Sequence, residues 1–257
     1  MPDFTIPDKK EVEKTIKSIF RLLFPATNSY SDTENENSLN HSRIQLLGLL
    51  IGLTDEKEKV ANLFFENLEN IKKTLLKDAV FILESDPAAT QLIEVIAIYP
   101  GFFAIFCYRI AHSLAKLSVP LLPRMITEYS HKVTGIDIHP LAEIGCPFAI
   151  DHGTGIVIGE TTTIGNNVKL YQGVTLGALS VDKSKASKKR HPTIEDNVVL
   201  YSGCTILGGH TVVGRNSVIG GNVWLTESIA PFSVVYHKSE IIVRNHNGFQ
   251  EPINFII

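Results

Sequence analysis

The sequence of 257 residues contains only three cysteines and no excess of charge of either sign. Cys107, Cys146 and Cys204 are odd in number and widely separated, which indicates neither a disulfide framework nor a clustered zinc site. The 24 basic and 27 acidic residues give a formal net charge of −3. We therefore expect neither nucleic acid nor an anionic membrane surface as a partner.

Long apolar runs are also missing. The longest, from Val95 to Tyr108, is too short to span a bilayer and contains Pro100 followed by Gly101. The first residues, Met1 to Phe4, lack the basic and apolar regions of a signal peptide. We therefore expect a cytoplasmic protein.

The second half of the chain carries an aliphatic residue at every sixth position. A shift of two residues follows Ile156, an interruption follows Leu176, and a shift of one residue follows Ile206. A six-residue period fits neither an α-helix nor an ordinary strand, but it is typical of a coil in which three hexads form one triangular turn. The sequence therefore predicts a parallel β-helix. The positions in register are Ile138, Ile144, Ile150, Ile156, Ile158, Ile164, Leu170, Leu176, Ile194, Leu200, Ile206, Leu207, Val213, Ile219 and Leu225.

The first half predicts helices. Thr54 is expected to cap a helix with an apolar stripe from Val60 to Ile82. Asp86 followed by Pro87 predicts a second helix start, and Pro100 predicts a third. Residues 27–42, rich in Asn, Ser and acidic residues, are predicted to form a linker.

The fold class is therefore α+β, with three segments. Residues 1–134 form a helical domain, and residues 135–232 form the β-helix, from which a loop at 178–192 protrudes. Residues 233–257 form a C-terminal tail.

Several short motifs accompany the hexads: Ser85 to Ala88, Tyr108 to His112, Asp137 to Pro140, Asp151 to Thr161, Gln172 to Gly177 and Arg190 to Pro192. Together they resemble the serine O-acetyltransferases of the hexapeptide-repeat acyltransferase family over roughly residues 84–230. The resemblance implies a left-handed β-helix that forms trimers, with active sites between neighbouring subunits. In relatives the helical domain often joins two trimers into a hexamer. The implied reaction moves an acetyl group from acetyl-CoA to L-serine and gives O-acetylserine for cysteine synthesis.

This reaction needs a base, because a serine hydroxyl is a poor nucleophile at neutral pH. A neutral histidine has suitable basicity. By match to the family motif, His152 is that base and Asp137 orients its ring and stabilises the imidazolium. The two residues stand 15 apart, slightly less than one 18-residue turn. Without the motif, Asp137 would be interpreted as a turn residue and His152 as a surface residue.

The amino-acid substrate needs a cation for its carboxylate and an anion for its ammonium group. Arg190 offers a planar fork suited to a carboxylate, with His191 beside it. By the resemblance, Asp86 and Asp151 are the carboxylates of this site. Asp86 is also interpreted as a helix cap, and both roles are compatible.

The resemblance places acetyl-CoA along a groove of the coil, against small residues that let the ligand approach. These are Gly177, Ala178, Ser202, Gly220 and Gly221. Ala178 stands where many relatives have a second glycine. The basic loop that ends at Arg190 is interpreted either as a solvated loop or as a segment that closes over substrate and the coenzyme phosphates. No metal is expected.

Three alternatives stay open. In the first, the protein is another hexapeptide acyltransferase whose acceptor is homoserine or a sugar, although Arg190 with Asp86 and Asp151 favours an amino acid. A β-helix carbonic anhydrase would place three histidines on zinc, for which His139, His152 and His191 are available. A non-catalytic scaffold would only bind a partner through the tail.

That partner is also implied by the resemblance. In this family a C-terminal isoleucine can insert into the active site of O-acetylserine sulfhydrylase, so Ile257 is a candidate partner-binding residue. The competing interpretation is a frayed terminus or an intramolecular contact. Feedback inhibition by cysteine is common in the family, because cysteine resembles serine.

We expect deletion of Ile257 to abolish binding to O-acetylserine sulfhydrylase and to leave acetyl transfer unchanged, because this residue would act only in the partner's site. Co-sedimentation of the two purified proteins measures the complex, and Ile256→Ala is the matched control. A deletion that instead removes acetyl transfer contradicts the docking hypothesis.

Overall fold

A computed structural model describes residues 5–27, 35–179 and 188–238. Within these residues seven α-helices precede a series of short strands. Residues 28–34 of the expected linker, residues 180–187 of the protruding loop and residues 239–257 of the tail, with Ile257, lie outside the described ranges. The helices are α1 (Lys9–Leu23), α2 (Asn35–Leu50), α3 (Lys57–Glu66), α4 (Leu68–Ser85), α5 (Leu92–Ile98), α6 (Pro100–Lys116) and α7 (Leu122–Thr134).

The helix predicted after Thr54 is present, but it begins later and is divided. The Thr54 hydroxyl accepts a hydrogen bond from the Glu56 amide at 3.1 Å, and α3 begins one residue beyond Glu56. Asn67 separates α3 from α4. The predicted apolar stripe from Val60 to Ile82 is buried across both helices. The helix start predicted at Pro100 is confirmed in α6.

Two predictions for the helical half were wrong. Residues 35–42 belong to α2 and not to a linker. Asp86 ends α4 and begins no helix, since α5 starts only at Leu92. The Asp86 carboxylate accepts a hydrogen bond from the Ala88 amide at 2.9 Å, which gives a local turn in place of a helix cap.

No single helix among the described residues is long and apolar enough to cross a membrane. Only α5 and α6 together reach that length and composition, and they are bent by 70° to each other.

The strands form three parallel sheets, and each sheet takes one strand from successive turns of the chain. The strands are β1 (Asp137–Ile138), β2 (Glu143–Ile144), β3 (Phe148–Asp151), β4 (Val157–Ile158), β5 (Thr163–Ile164), β6 (Val168–Tyr171), β7 (Thr175–Gly177), β8 (Thr193–Ile194), β9 (Val199–Leu200), β10 (Thr205–Leu207), β11 (Val212–Val213), β12 (Val218–Ile219), β13 (Trp224–Leu225) and β14 (Val234–Val235). Their orders in the three sheets are β1-β4-β7-β10-β13, β2-β5-β8-β11 and β3-β6-β9-β12-β14. The parallel β-helix predicted from the hexads is thereby confirmed.

The hexad residues stack in register inside the coil. Ile138 pairs with Ile158, Ile158 with Leu176, and Leu176 with Ile206. All four side chains are buried, and each contributes roughly 1.5–3 kcal/mol of hydrophobic stabilisation. The aliphatic column therefore holds the turns at fixed spacing.

A buried ion pair joins the helices to the first turn of the coil. Asp78 of α4 is fully buried and accepts hydrogen bonds from Arg109 of α6 at 3.0 and 3.1 Å. Arg109 also donates to the carbonyls of Ile144 and Gly145 at 2.8 and 2.7 Å, and Asp78 accepts the amide of Phe148 at 2.9 Å. The two side chains therefore connect two helices with the first turn.

We expect Asp78→Ala to lower the free energy of unfolding by about 3–5 kcal/mol, because it leaves Arg109 buried without its counter-ion. Urea unfolding followed by circular dichroism measures the loss. Glu11→Ala removes an exposed i,i+3 pair with Lys14 and is the control, with an expected change below about 1 kcal/mol. Equal effects of the two substitutions contradict this role for Asp78.

Candidate active site

The corner that carries His152 is longer than the corner one turn later. Asp151 pairs with Tyr171 before the corner, and Val157 pairs with Thr175 after it. Five residues therefore link β3 to β4, where three residues link β6 to β7. The extra pair explains the two-residue shift in the hexad register.

The His152 ring stands out from this corner. Its backbone has φ 57°, a conformation that few residues other than glycine adopt, and its side chain is 75% exposed. Other corners of the coil have the same backbone conformation, for example at Asn167 with φ 55° and Asn222 with φ 58°, but asparagine tolerates it better than histidine does. Here the following residue, Gly153, packs so closely on Ile136 that an added Cβ would lie 2.5 Å from Ile136 Cδ1.

Asp151 lies beside His152 and is paired with a lysine. Its Oδ1 is 3.7 Å from His152 Nε2, and its Oδ2 is 3.0 Å from Lys169 Nζ. Lys169 Nζ also donates to the carbonyl of Ser85 at 2.8 Å. Sequence alone does not distinguish Lys169 from other lysines, because a lysine on a strand is ordinarily solvated.

Asp86 belongs to the same group. Its carboxylate accepts hydrogen bonds from the Ala88 amide and from the Tyr99 hydroxyl at 2.8 Å, and these bonds lower its pKa. The positive charge of Lys169 acts in the same direction. The hydrogen bond to Asp86 raises the pKa of Tyr99 to about 12. We call Asp86, Asp151, His152 and Lys169 the His152 group.

Arg190 and His191 lie at the next corner of the coil, beyond the C-terminal end of β4. Arg190 pairs with Glu160, which follows β4. His191 Nδ1 accepts the amide of Thr161 at 3.1 Å, which leaves the ring proton on Nε2 in the neutral form. Burial, aided by the charge of Arg190, lowers the pKa of His191 to about 4. We call Glu160, Thr161, Arg190 and His191 the Arg190 group.

The structure does not join Asp137 to His152 within one chain. Asp137 accepts a hydrogen bond from Arg124 Nη1 at 3.1 Å, and the hydrogen bonds found among the described residues include none between Asp137 and His152. Asp137, His131 and Glu128 lie within the spacing of metal ligands, but Arg124 pairs with both carboxylates there. This arrangement disfavours a cation at that place.

The three histidines that could bind zinc in a carbonic anhydrase are divided between the corners of the His152 group and the Arg190 group. His139 and His191 lie near each other, and both interact electrostatically with Glu160 and Arg190. His152 lies at a different corner of the coil, between β3 and β4. A single chain therefore does not bring the three rings together.

The candidate residues for acetyl-CoA are divided in the same way. Gly177 ends β7 and Ala178 follows it, at the corner of the Arg190 group. Ser202, Gly220 and Gly221 lie on the corner of the His152 group, further along the coil. Ser202 accepts the amide of Asn222 at 2.9 Å, so its carbonyl is used inside the coil. A Cβ at Gly220 would lie 3.0 Å from the Val235 carbonyl, which gives this glycine a role in packing as well.

No family model matches the sequence. The chain is, however, 46% identical over 200 residues to the plasmid-encoded serine acetyltransferase of Synechococcus elongatus, over 76% of this chain and 61% of that relative. It is 44% identical over 182 residues to the serine acetyltransferase of Bacillus licheniformis, over 71% of this chain and 82% of the relative. The chain belongs to the serine acetyltransferase family. It thus belongs to a family of acyltransferase enzymes.

A solved structure agrees with this assignment. Serine acetyltransferase 1 of Entamoeba histolytica, in complex with L-cysteine, superposes with a TM-score of 0.81 at 32% identity and covers 91% of each chain. The coil is therefore the left-handed parallel β-helix of serine acetyltransferases. The resemblance drawn from the motifs is confirmed.

The low pKa of His191 predicts how stability depends on pH. Because the folded ring resists protonation, His191 contributes stability that is present above the unfolded pKa of about 6.5 and is lost as pH falls towards 4. Between pH 7 and pH 5 we expect the wild type to lose on the order of 1–2 kcal/mol more than His191→Gln. Urea unfolding at the two pH values measures the difference. Identical pH dependence in the two proteins contradicts this prediction.

Proposed function

We propose that this protein transfers the acetyl group of acetyl-CoA to the hydroxyl of L-serine, which gives O-acetylserine and CoA for cysteine biosynthesis. The observation that carries the proposal is the His152 group. Two carboxylates lie beside an exposed histidine on a strained corner. This combination offers an anion for the ammonium group and a base for the hydroxyl of one small substrate.

His152 acts as the general base in this proposal. Its ring takes the proton of the serine hydroxyl as the oxygen attacks the thioester carbonyl, and it later returns that proton to the departing thiolate of CoA. Asp151 Oδ1 at 3.7 Å stabilises the imidazolium that forms between these steps. Asp137 would contribute to the same stabilisation from the neighbouring start of β1, where Arg124 now holds its carboxylate.

The substrate carboxylate requires the second group. Arg190 and His191 lie at a different corner of the coil from His152. We therefore infer that the Arg190 group of one subunit faces the His152 group of the next. Such an arrangement calls for a trimer with its sites between subunits. The helical half would then join two trimers into a hexamer.

Other ligands follow from the same chemistry. L-cysteine carries the ammonium and carboxylate groups of L-serine and would occupy the same site as an inhibitor, as the complex of the Entamoeba histolytica relative supports. O-acetylserine sulfhydrylase, bound through Ile257, remains a proposed partner. The three free thiols of the described residues fit a reducing cytoplasm.

We expect purified protein to release free thiol from acetyl-CoA with L-serine, and His152→Ala to lower kcat by about 10²- to 10⁴-fold, because the base is removed. His41→Ala, an exposed histidine on α2 in the helical half, is the control and keeps the wild-type rate. Thiol release is followed in parallel with homoserine and with a simple sugar.

Each outcome decides between the alternatives. Release with homoserine or the sugar alone would change the acceptor and keep the reaction class. No release with any acceptor would favour the scaffold. Full activity of His152→Ala would refute the role of the base.

A further inference from the structure

Lys169 is buried at the boundary between the helical half and the coil. It lies on β6, one turn beyond Ala149, and only 7% of the residue is exposed. A buried ammonium group is unfavourable unless nearby groups stabilise its charge. The contacts of Lys169 are therefore informative about the role of this position.

Three groups surround the ammonium. Asp151 Oδ2 lies at 3.0 Å, the Ser85 carbonyl accepts a hydrogen bond at 2.8 Å, and the Tyr171 ring centroid lies at 4.6 Å. Burial lowers the pKa of Lys169, but the interactions with Tyr171 and Asp151 outweigh this effect and place it above its ordinary value. The side chain is therefore charged at neutral pH.

One nitrogen thus fixes both acidic segments of the His152 group. Asp151 ends β3, and Ser85 ends α4 and directly precedes Asp86. Lys169 contacts the first through its carboxylate and the second through its backbone. Tyr171 closes the remaining side and is itself stacked on Tyr201, with centroids 4.9 Å apart and ring planes 11° from parallel.

Charge balance points in the same direction. Two carboxylates in one small site repel each other, and one of them tends to take a proton. The hydrogen bonds from Ala88 and Tyr99, with a smaller contribution from Lys169, lower the pKa of Asp86 and keep it ionised. Lys169 pairs directly with Asp151, so the formal charges of the two carboxylates and the ammonium sum to −1. One substrate ammonium group then neutralises the site.

We propose that Lys169 is a positioning residue for the ammonium end of the amino-acid substrate, acting through Asp151. This inference rests on the proposed acetylation of L-serine. Lys169 holds Asp151 Oδ2, so that Oδ1 stays directed at the corner of His152, and it keeps Asp86 beside it. Removal of the lysine would let the two acidic segments separate.

The test compares Lys169→Met with Lys116→Met. Lys116 of α6 also pairs with a carboxylate of the coil, Glu143, but it is exposed and lies outside the His152 group. We expect Lys169→Met to raise KM for L-serine by about 10- to 100-fold, the effect of one charge-assisted hydrogen bond, and to change KM for acetyl-CoA less than twofold. Lys116→Met should leave both constants within twofold of the wild type.

A double-substitution cycle separates positioning from stability. If Lys169 acts through Asp151, adding Lys169→Met to Asp151→Asn raises KM for L-serine less than threefold further. Lys169→Arg restores at least part of the affinity, because it keeps the cation. Calorimetric binding of L-serine to each variant, with its Tm, shows whether affinity is lost by folded protein.

The outcomes distinguish the two proposals. Wild-type protein that acetylates L-serine, together with a Lys169→Met variant whose KM is unchanged, overturns the role of Lys169 and keeps the proposed function. Equal rises in both KM values, or additive effects with Asp151→Asn, also overturn it. Wild-type protein that neither binds nor acetylates L-serine refutes both.

Discussion

The buried pair of Asp78 and Arg109 solves a problem that every β-helix has at its first turn. β1, β2 and β3 are the first strands of their sheets, so no earlier turn of coil pairs with their outer edges. Arg109 satisfies the carbonyls of Ile144 and Gly145, and Asp78 satisfies the amide of Phe148. Tyr108, beside Arg109, donates to the Ala142 carbonyl at 2.6 Å and accepts the Ile144 amide. Two helices therefore cap the coil with side chains where a further turn would supply backbone.

The cap also determines where the acidic residues of the site lie. α4 carries Asp78 and ends at Ser85, so its attachment to β3 brings Asp86 to the corner of His152. α7 carries Arg124, which holds Asp137 at the start of β1. Lys169 completes the connection from the side of the coil. In the proposed site the helical half therefore supplies Asp86, while its Arg124 holds Asp137 and its Ser85 carbonyl holds Lys169.

The sequence predicted the coil well, because the aliphatic column of a β-helix repeats with a fixed period that single residues cannot disguise. Even the two-residue shift after Ile156 marks a physical feature, the longer corner that exposes His152. Local rules failed at Asp86, where a carboxylate bonded to Ala88 and Tyr99 begins no helix. They also missed Lys169, because only tertiary packing distinguishes a buried lysine from a solvated one. Residue spacing could not show that Asp137 is held by Arg124, since that contact joins separate elements.

The separation of the two groups is fixed by the coil itself. β4, only two residues long, lies between the corner of His152 and the segment of Glu160 and Thr161 that holds Arg190 and His191. β4 pairs with β1 on one side and β7 on the other, so the corners at its two ends stay at a fixed separation. The proposed reaction assigns the base and the ammonium site to one corner of this coil and the carboxylate-binding arginine to another, so it requires a second copy to supply the missing corner. Under this proposal assembly is a condition of the chemistry, because each subunit would contribute one half to each of two sites.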